Sequence, residues 1–293
     1  MKSLQFETKL FWLFARRDVA TTILPASTFM LITIYVNGHT WDVRTICNLL
    51  LGVFYFTLYI YPFNILNQLY GIEEDKIDKP DRPLVQGLVS INEGFFRYRL
   101  LTLGFILLGF FLGVGLWSCL WVFIVYQYNA NGWDKHWFTK NVICMGLGTF
   151  AQLGAAWAII HHHTFESYLV ISTVAIWVSF TACTQDFRDI LGDEQTDRKT
   201  LPIAFGSNLS RILMGGIWII LALIIGYTYL LYEGSYQNRV YVLIAASILI
   251  IVHLSIGVRL IAFRKTMDDR ITYLMYSYLY GLMLLSSALI LSQ

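Results

Sequence analysis

Charge is what this sequence has least of. Only 14% of its 293 residues are Asp, Glu, Lys or Arg, against ~25% in a soluble domain of ordinary composition. The formal net charge is +2, and no basic run is dense enough to hold a phosphate backbone, so nucleic acid is not an expected partner. Cysteine is scarce. Cys47, Cys119, Cys144 and Cys183 lie in or beside apolar runs, and none forms a Cys-x-x-Cys; this argues against disulfides and zinc. Residues 1–18 lack the charged, apolar, small-residue order of a cleavable signal. Leu10, Phe11, Leu13 and Phe14, closed by Arg16 and Arg17, read instead as an amphipathic lead-in.

What is abundant is apolar. Hydrophobic residues make up 57% of the chain and the mean hydropathy is +0.58. They come in uninterrupted runs, such as 217–232 and 240–260, and a helix needs about 20 apolar residues to cross the hydrocarbon. Nine spans are predicted, at 20–36, 45–66, 97–113, 115–128, 140–160, 166–185, 211–231, 239–261 and 271–291. They are read as helices because an isolated segment in lipid must satisfy its own backbone hydrogen bonds. Membrane β-strands would be ~10 residues long and strictly alternating. With the N-terminus in the cytosol, every basic residue of the 21 except Arg44 and Arg239 falls on the cytosolic side, as the positive-inside rule requires. The expected fold class is all-α: one transmembrane domain over 1–293, two four-helix halves plus one helix around a central lipid-lined cavity.

Two long loops, 67–92 and 186–210, lie on that cytosolic side, each after the second helix of a half. If the second span continues as a helix, Asn67, Glu74, Asp75 and Asp78 share roughly one 100° sector while Glu73 points away. Pro80 and Pro83 end that helix. In the second loop Asp186, Asp189, Asp193 and Asp197 share one helical face. Carboxylates so placed repel one another unless a cation compensates, and hard oxygen ligands suit Mg²⁺. Asn67, Glu74, Asp75, Asp78, Asp186, Asp189 and Asp193 are the candidate metal ligands. Lys79, Arg82, Arg188, Arg198 and Lys199 stand alongside as candidate phosphate ligands. The polar 128–140 segment lies on the same side and is placed to cap the pocket, which makes Lys135 and Lys140 further candidate phosphate ligands. His161, His162 and His163 fall in a short turn on the far side.

Acids and bases at the mouth of an apolar bundle suit a diphosphate head on a hydrocarbon tail. Mg²⁺ and basic side chains would neutralise the leaving diphosphate. Aromatic faces would stabilise the allylic cation, and Tyr59, Tyr61, Phe63, Trp177 and Phe180 are candidates among the 16% of residues that are aromatic. A transporter would place ionisable groups at mid-membrane, whereas here the charges sit at the edges.

The motifs resemble those of the UbiA superfamily of intramembrane prenyltransferases. Asn67 to Asp75 with Pro80, Arg82 and Pro83 is similar to the first family motif, and Asp186, Asp189, Gly192 and Asp193 to the second. Arg198-Lys199-Thr200-Leu201-Pro202 is similar to the tail that follows. Gln68 and Gly71 stand where the family usually has Asp, and Glu74 is placed to compensate. This form, with the 13–18 stretch, resembles the fungal branch that includes terpene cyclases. The resemblance implies an Mg²⁺-dependent enzyme acting on farnesyl or geranylgeranyl diphosphate. It would be a cyclase or, alternatively, a prenyltransferase to a small acceptor. The expected setting is the endoplasmic reticulum bilayer with both loops facing the cytosol. Catalytic roles would fall to Asn67, Glu74, Asp75, Asp186, Asp189 and Asp193.

Overall fold

Each apolar run becomes one helical rod, and short polar residues mark where it starts. The computed structural model describes residues 3–231 and 236–291. Asp42 opens the longest helix by accepting from the Thr45 amide at 2.8 Å. Ser90 and Glu93 form a reciprocal capping box, as do Thr164 and Ser167. Each satisfies amides that a helix start otherwise leaves without partners.

The chain runs through α1 (Leu4–Ala15), a π-helical turn (Val19–Ile23), α2 (Leu24–Val36), α3 (Val43–Tyr70) and the short α4 (Ile72–Asp78). It continues through α5 (Ile91–Phe111), α6 (Gly115–Asn129), a π-helical stretch (Phe138–Met145), α7 (Gly146–Ile160), α8 (Phe165–Thr181) and a 3-10 turn (Ala182–Arg188). Two short helices follow, α9 (Ile190–Gln195) and α10 (Leu201–Phe205), and then α11 (Ser207–Leu230), α12 (Tyr236–Ala262) and α13 (Thr266–Leu291). Neighbours in sequence pack as neighbours in space: α2 on α3, α3 on α5, α5 on α6, α6 on α7, α7 on α8, α11 on α8 and α12, α12 on α13. Finally α13 returns to pack on α2, closing a ring.

Against the nine expected spans, the helical rods among the described residues are α2, α3, α5, α6, α7 with the π-helical stretch before it, α8, α11, α12 and α13. Seven of them are long and apolar enough to cross a membrane by length and composition, and α6 and α13 are not among the seven. The 15 residues of α6 rise only about 22 Å. Exposed Leu50, Phe54, Leu103, Leu107, Ile220 and Leu223 cover the outside, while Thr33, Asn64, Gln68, Ser118 and Gln152 are buried inside. That inverts the soluble pattern, because in lipid a polar side chain finds partners only within the bundle. The protein is an integral membrane protein. The four cysteines are free, Cys47 and Cys119 on the exterior and Cys144 and Cys183 buried. On the far side His161 leaves its turn to meet His39 at 3.1 Å.

Aromatic rings fill much of the interior. Tyr59 stacks on Trp121 at 4.2 Å between centroids, and the void bordered by both measures about 10 Å³. Trp177 lies in the buried core. Two candidate aromatics point elsewhere: Tyr61 packs outward against Phe11 and Phe14 of α1, and Phe180 is half exposed. The lead-in, α1, therefore serves as a buttress. Leu10 and Phe14 pack on Tyr61, Ile65, Leu84 and Val89, fastening α3 to the loop that follows α4.

Helices α11 and α12 touch backbone to backbone. A Cβ at Gly257 would lie 2.9 Å from the Gly215 carbonyl, and the reverse holds at Gly215, while Gly216 one residue away faces open space. Close approach of this kind replaces hydrophobic driving force inside a bilayer. Gly257→Ala is expected to cost about 1–3 kcal/mol of stability through overpacking and Gly216→Ala under about 0.5 kcal/mol. Melting temperatures of the purified variants check this contrast.

Candidate active site

Both motif loops break from their helices sooner than a continuous helix would allow. On the first arm α3 stops at Gly71, whose backbone (φ −102°, ψ 22°) turns the chain into α4. A Cβ there would meet the Asn67 carbonyl at 2.9 Å. On the second arm the 3-10 turn stops at Asp189, and α9 begins anew. The four acids of the second loop therefore do not share the one continuous helical face that their spacing predicts. Asp197 lies beyond α9 with φ +54° and is exposed, away from the other three. The side chain of Asp78 lies outside the described residues.

The short helix α4 turns Glu74 and Asp75 inward, 6% and 1% exposed. Glu73 stays outside, paired with Lys76 at 2.7 Å. The Pro80–Pro83 turn then folds Arg82 back over the arm. Its Nη1 donates to Asp75 Oδ2 at 2.6 Å and to Asn67 Oδ1 at 3.2 Å. Lys79 Nζ stands 3.4 Å from Glu74 and 3.9 Å from Asp75. Asn67 also donates to Asn129 at the end of α6.

The second arm packs on the first, α9 against α4. Asp186 is fully buried and accepts from Lys140 Nζ at 2.8 Å and Asn141 Nδ2 at 2.7 Å. Gln185 in turn donates to Asn141. Arg188 reaches Asp189 at 3.2 Å, and its Cζ lies over the Tyr273 ring, 3.6 Å from the centroid. Arg198 joins three segments: its Nη2 pairs with Glu74 at 2.6 Å and with Asp134 at 2.7 Å, and its Nη1 stands 3.6 Å from Asp193. Lys135 and Lys199 are brought together by their backbones, Lys199 N donating to Lys135 O at 2.7 Å, while both side chains are exposed and outside the buried ring.

Electrostatics follow burial. Asp75 is pushed above the usual carboxylate range by burial, with Arg82 pulling the other way. Burial likewise raises Asp134 against the pull of Arg198. Asp189 goes down: burial opposes, but Arg188, Lys79 and Lys140 together outweigh it. Asp193 is pushed up to about 6 by burial, and neither of its oxygens has a hydrogen bond.

Several participants carried no signal of their own in the sequence. Asp134 belongs to the polar 128–140 segment, but nothing in its neighbours singles it out. Asn129 belongs to the same segment, and Asn141, Gln185 and Tyr273 are single residues of the expected apolar spans. Asp18 sits before the π-helical turn, its carboxyl raised by burial and facing Arg82, Arg188 and Lys79. Its placement depends on α2 packing on both α3 and α13.

Among the described residues no three His, Cys, Asp or Glu side chains converge as a metal-binding group. Most of the carboxylates are held by guanidinium or ammonium groups instead. The donors nonetheless fit a hard divalent cation: all are carboxylate or amide oxygens, and Asp193 offers two buried oxygens without hydrogen-bond partners.

The matching protein family spans residues 22–287 and is the UbiA prenyltransferase family. The chain belongs to this family. It is 38% identical over 208 residues to a somaliensene A/B synthase of Streptomyces somaliensis, covering 71% of this chain and 69% of that one. To the diterpene cyclase eriG of Hericium erinaceus it is 32% identical, covering 97% and 89%. To the polyprenyl transferase eriF of the same fungus it is 30% identical, covering 97% and 95%. A UbiA homologue from Archaeoglobus fulgidus, solved bound to DMAPP and Mg²⁺, shares the fold with a TM-score of 0.63 over 94% of this chain and 98% of that one, at 14% identity.

Two expectations follow. Ionised Asp193 destabilises the fold, since its carboxyl sits above the unfolded value; that cost is present above pH 6 and relieved as pH falls through about 6. Asp193→Asn is therefore expected to raise stability by roughly 1–3 kcal/mol at neutral pH without added metal. It should also remove the melting-temperature rise that Mg²⁺ gives the unaltered chain. Thermal denaturation with and without Mg²⁺ reads both effects. Separately, Glu74→Ala should reduce diphosphate release by about 100-fold or more, and Glu73→Ala by less than about threefold. Comparable losses in a release assay would show that α4 does not sort the two acids.

Proposed function

We propose that the chain is a UbiA-type terpene cyclase that ionises farnesyl or geranylgeranyl diphosphate at the mouth between α4 and α9. The observation that carries this reading is the pair of buried, carboxylate-bearing arms joined through Arg198 above an aromatic interior. Similarity to the somaliensene synthase and to eriG supports cyclisation.

Asn67, Glu74, Asp75, Asp186, Asp189 and Asp193 are the residues that would hold Mg²⁺. When bound, the ion supplies charge neutralisation to the departing diphosphate. Arg82, Lys79, Lys140, Arg188 and Arg198, now paired with these carboxylates, are placed to bind phosphate oxygens once the acids turn to the metal. The allylic C–O bond then breaks with both electrons leaving on the diphosphate. A double bond of the same chain supplies the electron pair that closes the ring, and a proton is lost from a carbon beside the final cation. The aromatic interior excludes water, which would otherwise quench the cation.

The prenyltransferase reading rests on the eriF similarity and uses the same ionising site. A carboxylated acceptor would need a cation inside the bundle. Among the described residues Lys and Arg lie towards the ends of the rods except Arg97 and Arg99 of α5, of which Arg97 pairs with Glu7 of α1 and Arg99 is exposed; this favours cyclisation. The cytosolic orientation of the two arms is part of this proposal and rests on the distribution of Lys and Arg; the endoplasmic reticulum as the host membrane is proposed with it.

Membranes containing the chain, given Mg²⁺ and farnesyl or geranylgeranyl diphosphate without an acceptor, should yield a cyclic hydrocarbon detectable by gas chromatography. Chelation of the metal, or Asp75→Ala or Asp189→Ala, should each lower diphosphate release by about 100-fold or more. Product formed only after an acceptor is added would make the chain a transferase.

A further inference from the structure

One face of α13 links the mouth to the middle of the bundle. Tyr273, Tyr276 and Tyr280 recur at helical spacing on it. Tyr273 lies under Arg188 at the mouth. Tyr276 and Tyr280 both stack on Trp177, at 27° and 16° between ring planes, and Trp218 closes edge-on against Trp177 and Tyr276. Trp177 is fixed by donating to His253 Nε2 at 3.0 Å, and Trp218 by donating to Thr184 at 3.0 Å.

The face ends on polar atoms. Tyr280 donates its hydroxyl proton to Gln152 Oε1 at 3.2 Å, and Gln152 Nε2 donates to the Thr22 carbonyl at 2.7 Å. Gln152 and Tyr280 are each 5% exposed, midway along α7 and α13. The seven steps of α13 from Tyr273 to Tyr280 place this pair about 10 Å along the helix from the ring under Arg188. An amide at such depth is costly unless it has a task, and in a low dielectric its oxygen dipole acts strongly on a nearby positive charge.

We infer that Tyr280 and Gln152 determine product specificity. They present oxygen dipoles to the tail end of the ionised chain and so bias which carbon carries the positive charge before the last proton leaves. Neither residue takes that proton. The C–H electron pair beside the favoured carbon becomes the new double bond, and the proton goes to the released diphosphate at the mouth. This inference rests on the ionising chemistry proposed above.

Diphosphate release and the hydrocarbon profile are measured together in membranes carrying the unaltered chain, Tyr280→Phe or Gln152→Leu, with Mg²⁺ and either prenyl diphosphate. Release should stay within about threefold of the unaltered chain while the ratio of minor to main hydrocarbons rises about tenfold. An unchanged product ratio in both variants overturns the inference, including the case where release and melting temperature fall together, which would mark the pair as a structural staple. Where Gln152→Leu fails to accumulate, Tyr280→Phe decides alone, since it keeps the ring and loses only the hydroxyl. Absence of release from the unaltered chain would instead refute the ionising function, so the two failures are distinct.

Discussion

The site depends on Arg198. Its guanidinium holds Glu74 of the first arm and Asp134 of the segment after α6, and it approaches Asp193 of the second arm. Three loops far apart in sequence thereby meet over the bundle mouth. Arg suits this role because its planar fork presents several donors at fixed angles and stays charged when buried. The same contacts suggest how the mouth would respond to ligand: a divalent cation drawing the carboxylates together would free the guanidinium for phosphate.

Around that centre the acids and bases form an interlocked set. Arg82 is folded back by the Pro80–Pro83 turn, Lys140 is anchored at Asp186, and Arg188 is held over the Tyr273 ring. Asp193 is the exception, buried with no hydrogen bond. A charge left short of partners is expected where a ligand completes the site, because burial without compensation is too costly to persist by chance. The ring of helices makes this arrangement possible. Closing α13 onto α2 brings Asp18, Tyr273 and both motif arms to one end, and it leaves the opposite end to the His39–His161 contact and short turns.

A helical face holds only as far as its helix continues. Glu74 and Glu73 part to opposite sides because α4 is a true helix and carries both acids. Asp197 departs from the face of the other acids because the chain leaves the helix two residues earlier and passes through a left-handed conformation. Lys135 and Lys199, expected among the phosphate ligands from their place in the loops, meet instead through their main-chain groups, and their side chains are exposed.

What the sequence determined by itself is what local composition dictates. Apolar run length set the rods and the membrane, proline and glycine set the ends of the arms, and carboxylate spacing marked the two motif loops. Tertiary structure alone decided which cation meets which acid, that Asp134 and Asp18 join the mouth, and that Gln152 and Tyr280 meet inside the bundle. The physical reason is range. Helix formation and membrane insertion depend on residues within a few turns of one another, whereas an ion pair such as Arg198–Glu74 joins positions whose proximity is fixed only when the ring of helices closes.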